Sequence, residues 1–173
     1  RARVALFLEV CEAVQHAHAK LVVHRDLKPA NLLVARDGHV KLLDFGIAKL
    51  LESDAAETLT GQRAMTPAYA SPEQLRGEPI TIASDVFSLG VVLYELLTGV
   101  RPFASPTALV TRPEPERPST AVLRTAAAAG PRGGTGERVA RELRGDLDTI
   151  VLKALHPEPT RRYVTVEGPA SIE

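Results

Sequence analysis

The strongest structural signal in the sequence is a pair of short apolar runs on either side of an Asp-Gly turn. Residues 32–34 precede the turn at residues 36–38, and residues 40–43 follow it, a pattern that predicts a β-hairpin. Antiparallel pairing places the start of one strand beside the end of the other. Asn31 and Asp44 are therefore expected to converge at one edge of the hairpin.

The loop before this hairpin encloses charged residues between apolar ones, in the stretch VVHRDLKPANLLV. The amide oxygen of Asn31 and the carboxylate of Asp44 are hard ligands of the kind that Mg²⁺ accepts beside phosphate oxygens and water. Asp26 can bond an incoming hydroxyl, and Lys28 can neutralise charge on a transferring phosphoryl group. A metal site, a base and a cation on one face are the parts that phosphoryl transfer needs.

Helical periodicity and capping residues define the longer elements. Apolar residues at helical spacing predict an amphipathic helix over about 3–19, and a second one over about 85–97 with Ser84 as its N-cap and Thr98-Gly99 at its end. Residues 47–80 lack periodicity and are expected to form a long ordered loop. A further helix is predicted over about 147–155.

The composition changes after the second helix. Between Pro102 and Arg138 the sequence is rich in Pro, Ala, Gly and Arg and includes AAAAGPRGGTG. We expect this stretch to bury little and to be flexible. Regular pattern returns at GDLDTIVLKAL, where Asp146 is predicted to cap the helix that follows.

Composition and charge exclude several functional classes. The 173 residues contain 21 Lys plus Arg and 21 Asp plus Glu, so no net field favours nucleic acid or anionic lipid. Cys11 is the single cysteine, which excludes an internal disulfide framework and fits a reducing compartment. No apolar run in the sequence is long enough to span a bilayer. The chain opens at Arg1 with a helical pattern, so we expect a fragment of a larger domain.

Three motifs together resemble the catalytic part of the eukaryotic-type (Hanks-type) serine/threonine protein kinases. They are HRDLKPAN, DFG at residues 44–46 and SPE at residues 71–73. The sequence stretches TPAYASPEQLRGE and ASDVFSLGVVLYELLTG are similar to those of bacterial members of this family. The resemblance implies an α+β protein-kinase-like fold, with a mainly α-helical C-terminal lobe, a small catalytic β-hairpin and no N-terminal lobe.

The resemblance also implies catalytic roles for individual residues. Asp26 is the catalytic base, Lys28 contacts the γ-phosphate, and Asn31 and Asp44 hold Mg²⁺. Thr66 lies where such kinases place a threonine that contacts the catalytic aspartate and lysine. Together with Lys28 it favours serine/threonine over tyrosine substrates.

Nucleotide and regulatory positions follow from the same resemblance. Lys28, Asn31, Leu33 and Asp44 are expected to face ATP, with Leu33 below the adenine ring. Arg25 is expected to meet a phosphorylated activation loop, in which Thr58 and Thr60 are the candidate acceptors. Both threonines can equally be ordinary polar loop residues.

The resemblance implies two further contacts, both architectural. Asp85 should tie the central helix to the backbone of the catalytic loop, and Glu73 should pair with Arg162, or alternatively with Arg161.

His24 and Phe45 are interpreted as packing residues, the first a hydrogen-bonded anchor and the second a residue that sets the orientation of Asp44. A metal site built from His16, His18 and His24 is not expected, since the first two point to different faces of one helix.

The sequence lacks other parts of a kinase. No G-x-G-x-x-G occurs in it, and the strand lysine and helix glutamate of an N-terminal lobe have no counterpart. We therefore expect the chain alone to be inactive. We also expect it to divide into three parts: a kinase C-lobe over 1–103, a flexible insertion over 104–142 and a truncated lobe end over 143–173. The alternative is a non-catalytic kinase-like binding or regulatory module; a small-molecule phosphotransferase is more remote.

The expected cofactors are ATP and Mg²⁺, and the expected partners are proteins with a serine or threonine to be phosphorylated. Nucleic acid is not an expected partner, and no membrane segment is expected in this chain. The resemblance admits a kinase–kinase dimer for activation. A cytoplasmic location is predicted, with the intact protein open to membrane anchoring through other regions.

Overall fold

A buried central helix organises the fold. The computed structural model describes residues 2–36, 38–44, 67–111, 114–125 and 136–166. Within them, helix α3 (Ile82–Thr98) is buried along almost its whole length, and Phe87, Val91 and Tyr94 are at most 1% exposed. No helix among the described residues is both long and apolar enough to cross a membrane.

The ends of α3 follow from its capping residues, and its predicted start is corrected. Thr81 is the N-cap, not Ser84, and the backbone N–H of Thr81 donates to Ser84 Oγ at 3.2 Å. Two hydroxyl residues three apart both resemble caps in the sequence, but only Thr81 has the extended backbone that a cap requires. Gly99 ends the helix at φ 80° as predicted.

The first helix and the hairpin form as predicted. Helix α1 spans Ala2–His18, and strands β1 (Leu32–Val34) and β2 (Val40–Leu42) pair antiparallel, with Leu33 opposite Lys41. Helix α1 packs against β2 and α3. The shared apolar cluster includes Val10, Val14, Leu27, Val86 and Leu89. This mainly helical arrangement with one two-stranded sheet agrees with the predicted α+β class.

The expectation that the stretch between Pro102 and Arg138 buries little is wrong where the structure describes it. Helices α4 (Pro106–Thr111) and α5 (Pro118–Arg124) lie within this stretch, and α6 (Gly136–Leu143) begins at its end. Their apolar side chains complete the core around α3 and are Leu109, Ala121, Val122, Val139 and Leu143. The stretch is rich in Pro, Ala, Gly and Arg, but a few apolar residues at helical spacing suffice to bury one face. Residues 126–135 lie outside the described ranges.

Helix α7 (Asp146–Ala154) begins one residue before its predicted start. The prediction that Asp146 caps it is wrong: Gly145 is the N-cap, without a side-chain hydrogen bond, and Asp146 is the first helical residue. Instead Asp148 accepts hydrogen bonds from Ser119 N at 2.9 Å and Ser119 Oγ at 2.6 Å. A carboxylate in the first turn of α7 thus caps the N-terminus of α5, where free N–H groups favour negative charge.

A short helix interrupts the predicted long loop. Helix α2 (Pro72–Leu75) is described, whereas residues 47–66 of that loop lie outside the described ranges. The N-cap of α2 is Ser71, and Ser71 and Gln74 form a capping box. The S-x-x-Q spacing of SPEQ is the sequence signature of this arrangement.

Replacing Gly90 by alanine should destabilise the fold. Gly90 lies where α3 meets α7, and a Cβ there would be 2.9 Å from Ala154 Cβ and 3.1 Å from Leu155 Cδ2. Overpacking against these atoms exceeds the helix-propensity gain of alanine, so Gly90→Ala should lower the free energy of unfolding by about 1–2 kcal/mol. Urea unfolding measures the change.

Gly136→Ala is the matched control for this substitution. The nearest atom to its Cβ would be Val122 O at 3.7 Å, an ordinary contact. This variant should keep or raise the stability, by about 0.4–1 kcal/mol at most. Equal effects of the two substitutions would contradict the packing argument.

Candidate active site

The loop over residues 24–30, called the catalytic loop after the resemblance, connects α1 to the hairpin and is held by buried residues. Leu27, at 1% exposure, packs among the apolar residues of α1 and α3. His24 is fully buried. Leu27 was not singled out from the sequence, although one apolar residue between two charged ones is a recognisable anchor. The charged side chains on either side of Leu27 are thereby directed away from the core.

A buried carboxylate on α3 organises the backbone of this loop. Asp85 Oδ2 accepts from His24 N at 2.8 Å, and Asp85 Oδ1 accepts from Arg25 N at 2.9 Å. The structure thus places Asp85 on the loop backbone, where the resemblance puts it. His18 Nε2 donates to Asp85 Oδ2 at 2.7 Å, a contact that the sequence did not indicate. Three donors offset the desolvation of this charge.

Arg25 has a strained backbone that these contacts hold. Its φ is 70°, a left-handed conformation that costs a non-glycine residue on the order of 1–3 kcal/mol. Its N–H is bonded to Asp85, and its carbonyl oxygen accepts from Gln74 Nε2 at 2.7 Å. Gln74 is a second contact of the loop that the sequence analysis missed.

Three of the predicted site residues converge at the end of the loop. Lys28 Nζ lies 2.8 Å from Asp26 Oδ2. Asn31 Nδ2 donates to Asp26 O at 2.8 Å and to Asp26 Oδ2 at 3.3 Å. The Asp26 carboxylate, about a quarter exposed, is thus oriented by a cation and an amide. Such a carboxylate can accept a hydrogen bond from a hydroxyl that approaches from solvent.

The hairpin places Asp44 next to this group through the backbone. Leu43 N donates to Asn31 O at 2.9 Å, so Asp44 follows directly after a residue paired with Asn31. His24 Nε2 donates to Leu43 O at 3.0 Å, and Asp26 N approaches His24 Nδ1 at 3.4 Å. His24 therefore links both sides of the site, as expected of a hydrogen-bonded anchor.

The oxygen atoms at this edge suit Mg²⁺. Asn31 is engaged with Asp26 through its amide nitrogen, so its oxygen is the atom suited to ligate a cation. Asp44 is exposed, with φ 49°. Two hard oxygen ligands are what Mg²⁺ takes from a protein when phosphates and water complete the shell. Among the described residues, no group of three or more His, Cys, Asp or Glu side chains could hold a metal ion. The histidines of α1 are among the residues searched.

The other predicted residues divide into described and undescribed ones. Leu33 is 50% exposed on β1, so its side chain is available to a ligand. Arg25 Nε is buried without a hydrogen-bond partner among the residues that the structure describes. The remaining predicted positions lie outside the described ranges: Phe45, Thr58, Thr60 and Thr66.

A buried ion pair fastens α2 to the end of the described chain. Arg162 Nη1 and Nη2 donate to Glu73 Oε1 and Oε2 at 2.7 Å and 2.9 Å. Ser84 Oγ donates to Glu73 Oε1 at 2.8 Å. The structure thus brings Glu73 together with Arg162, not with the alternative Arg161. Burial alone raises the pKa of the Glu73 carboxyl, but the hydrogen bonds from Arg162 and Ser84 hold this pKa below its ordinary value.

Comparison with known proteins identifies relatives along almost the whole chain. A family model described as "Protein kinase domain" matches residues 1–167. Serine/threonine-protein kinase PknB of Mycolicibacterium smegmatis is 38% identical over 172 residues, which cover 95% of this chain and 24% of that protein. The protein of the same name from Mycobacterium tuberculosis is 38% identical over 169 residues, covering 94% and 24%.

A third relative is a probable serine/threonine-protein kinase of Streptomyces coelicolor. It is 38% identical over 165 residues, which cover 91% of this chain and 22% of that protein. The chain thus spans about a quarter of the length of the curated relatives it matches.

Breaking the buried ion pair should cost much stability. Glu73→Gln removes the charge and leaves the Arg162 guanidinium buried without its counter-ion, so the free energy of unfolding at neutral pH should fall by about 3–5 kcal/mol. Chemical denaturation of both proteins measures this. Glu78→Ala breaks the exposed Arg76–Glu78 pair and should leave the stability unchanged.

The same pair predicts a pH dependence. Because the pKa of Glu73 is lower in the folded protein than in the unfolded chain, its stabilisation is present above the unfolded value of about 4.3 and is lost as the pH falls through the folded value. The stability gap between the parent and Glu73→Gln should therefore narrow below pH ~4. A gap that stays constant down to acid pH would show that charge pairing is not its source.

Proposed function

The chain belongs to the protein kinase family, and from this premise we propose that it forms the catalytic centre of a serine/threonine protein kinase. The reaction transfers the γ-phosphoryl group of ATP to a serine or threonine hydroxyl of a protein. The relatives carry the name serine/threonine-protein kinase. For this chain, which matches about a quarter of their lengths, activity and substrates are the proposal.

One observation carries the proposal: the Asp26 carboxylate is held by both Lys28 and Asn31, at 2.8 Å and 3.3 Å. Asp44 follows Leu43, whose backbone N–H donates to Asn31 O at 2.9 Å. A partly exposed aspartate with an ammonium group and an amide beside it is suited to orient a hydroxyl and to neutralise phosphoryl charge. A module that only binds a partner has no need of this arrangement.

Each side chain has a separate task in this proposal. Asp26 accepts the hydrogen bond of the substrate hydroxyl and orients its oxygen for in-line attack. Lys28 stabilises negative charge on the phosphoryl oxygens. Asn31 and Asp44 would hold Mg²⁺, which when bound would neutralise negative charge on the phosphates of the nucleotide. Leu33 offers an apolar surface below the adenine ring.

The preference for serine and threonine rests on Lys28 within Asp-Leu-Lys-Pro and on Thr66. Lys28 contacts the Asp26 carboxylate directly, which supports a shared role at the hydroxyl and the phosphate. A contact of Thr66 with both residues stays a prediction, since Thr66 lies outside the described ranges.

Regulation by phosphorylation is part of the same proposal. The Arg25 side chain has a buried Nε that lacks a partner within the described ranges. A phosphate on Thr58 or Thr60 would bring close to two negative charges and acceptor oxygens to this guanidinium. A kinase–kinase dimer, the cytoplasmic location and the division at residues 103 and 142 remain predictions.

Replacing the proposed base should abolish phosphotransfer without unfolding the loop. In the protein made from the complete reading frame that contains this sequence, Asp26→Asn should lower kcat by at least about 100-fold, because the amide cannot act as a base. The amide oxygen can still accept from Lys28 and Asn31, so the melting temperature should change little. Transfer of radiolabelled phosphate from Mg-ATP to a serine- and threonine-containing protein measures the rate.

Asp146→Asn is the matched control, since Asp146 is exposed in the first turn of α7. It should retain the parent rate. An active Asp26→Asn protein would exclude Asp26 as the base. A parent protein that transfers no phosphate but binds a protein partner would favour the regulatory-module alternative. The 173-residue chain assayed beside it tests the expectation that this stretch alone is inactive.

A further inference from the structure

Gln74 uses both ends of its side-chain amide. Its Oε1 accepts from Ser71 N at 2.9 Å, which is one half of the capping box of α2. Its Nε2 donates to Arg25 O at 2.7 Å. One side chain thus joins the N-terminus of α2 to the catalytic loop, across 49 positions of sequence. The capping function alone does not need the second bond.

The accepting carbonyl belongs to the peptide group that leads into Asp26. A peptide group is planar, so a hydrogen bond that fixes its C=O also fixes the direction of its N–H. The N–H of the same peptide group belongs to Asp26 and lies in this plane, opposite the C=O. It is directed toward His24 Nδ1, at an N···N distance of 3.4 Å. The donor–acceptor distance to the histidine is long, whereas the one to Gln74 is short. Gln74 is therefore the stronger restraint on this peptide group.

Arg25 needs such a restraint because its backbone is left-handed, at φ 70°. Its N–H is held by Asp85 on α3 at 2.9 Å, and its C=O is held by Gln74 on α2. The two peptide groups that flank the strained residue are thus bonded by two different helices. Losing either bond allows Arg25 to relax and the Asp26 side chain to turn away.

We propose that Gln74 is a positioning residue for phosphoryl transfer, which couples the N-terminus of α2 to the orientation of Asp26. This inference rests on the proposed kinase function. The segment before α2 is bonded to α3, since Ser88 Oγ on α3 donates to Tyr69 O at 2.9 Å. A change in the position of α2 would reach the Asp26 peptide group through one hydrogen bond.

Two substitutions of Gln74 separate the bond to Arg25 from the cap. Gln74→Glu keeps an acceptor for Ser71 N but has no donor for Arg25 O. Gln74→Met is neutral and nearly isosteric and loses both bonds. Ser71→Ala removes the hydroxyl that caps Gln74 N while leaving the Gln74 amide intact. In the protein from the complete reading frame, both Gln74 variants should lower kcat by about 10- to 100-fold with little change in the KM for ATP.

Ser71→Ala should keep the parent kcat even where it lowers the melting temperature. Hydrogen–deuterium exchange of the segment 23–27 supplies a readout that does not depend on activity. Exchange there should be faster in both Gln74 variants and unchanged in Ser71→Ala. Parent-like kcat and exchange in Gln74→Met would overturn the proposal, as would an equal loss of kcat in Ser71→Ala, which would assign the effect to the cap.

The two readouts distinguish the failure of this inference from that of the proposed function. A parent protein without phosphotransfer overturns the kinase proposal, and the role of Gln74 in catalysis falls with it. Faster exchange in the Gln74 variants would then still establish the link between α2 and the loop. An active parent with unaltered Gln74 variants leaves the kinase proposal standing and removes only Gln74.

Discussion

The carboxylate of Asp85 is the interaction on which the site depends. It is buried on α3 and accepts hydrogen bonds from two consecutive backbone N–H groups of the catalytic loop and from His18. Backbone donors hold the carboxylate in one orientation, and the carboxylate holds Arg25 in a conformation that it would otherwise leave. Without this charge Arg25 would lose the hydrogen bond at its N–H that holds its left-handed backbone. The peptide group that leads into Asp26 would then be held less firmly.

This constraint explains why α3 is so completely buried. A carboxylate can direct the loop only if water does not compete for its oxygens, because hydrogen bonds to charged groups are stronger in a dry environment. Helices α5 to α7 surround α3 with apolar side chains, and Gly90 lets α7 approach closely. The geometry of the site thus depends on the packing of the core. Packing far from Asp26 keeps Asp85 dry, and Asp85 positions the loop.

Helix α2 is bonded to the core and to the catalytic loop at three points. Glu73 binds Arg162 and Ser84, and Gln74 binds the carbonyl oxygen of Arg25. The SPEQ stretch is therefore both an architectural anchor and a neighbour of the catalytic loop. Two adjacent residues point in different directions from one turn of helix, one to the core and one to the site.

The sequence by itself determined what local chemistry can encode. The hairpin and α1 follow from short-range periodicity and turn residues, and the motifs around Asp26 indicate the family. Only the tertiary structure decided the contacts between distant segments, such as Asp148 with Ser119, His18 with Asp85 and Gln74 with Arg25. Their geometry depends on how whole helices pack. For the same reason the composition of the stretch between Pro102 and Arg138 was misleading, because burial of a few apolar residues depends on the side chains that pack against them.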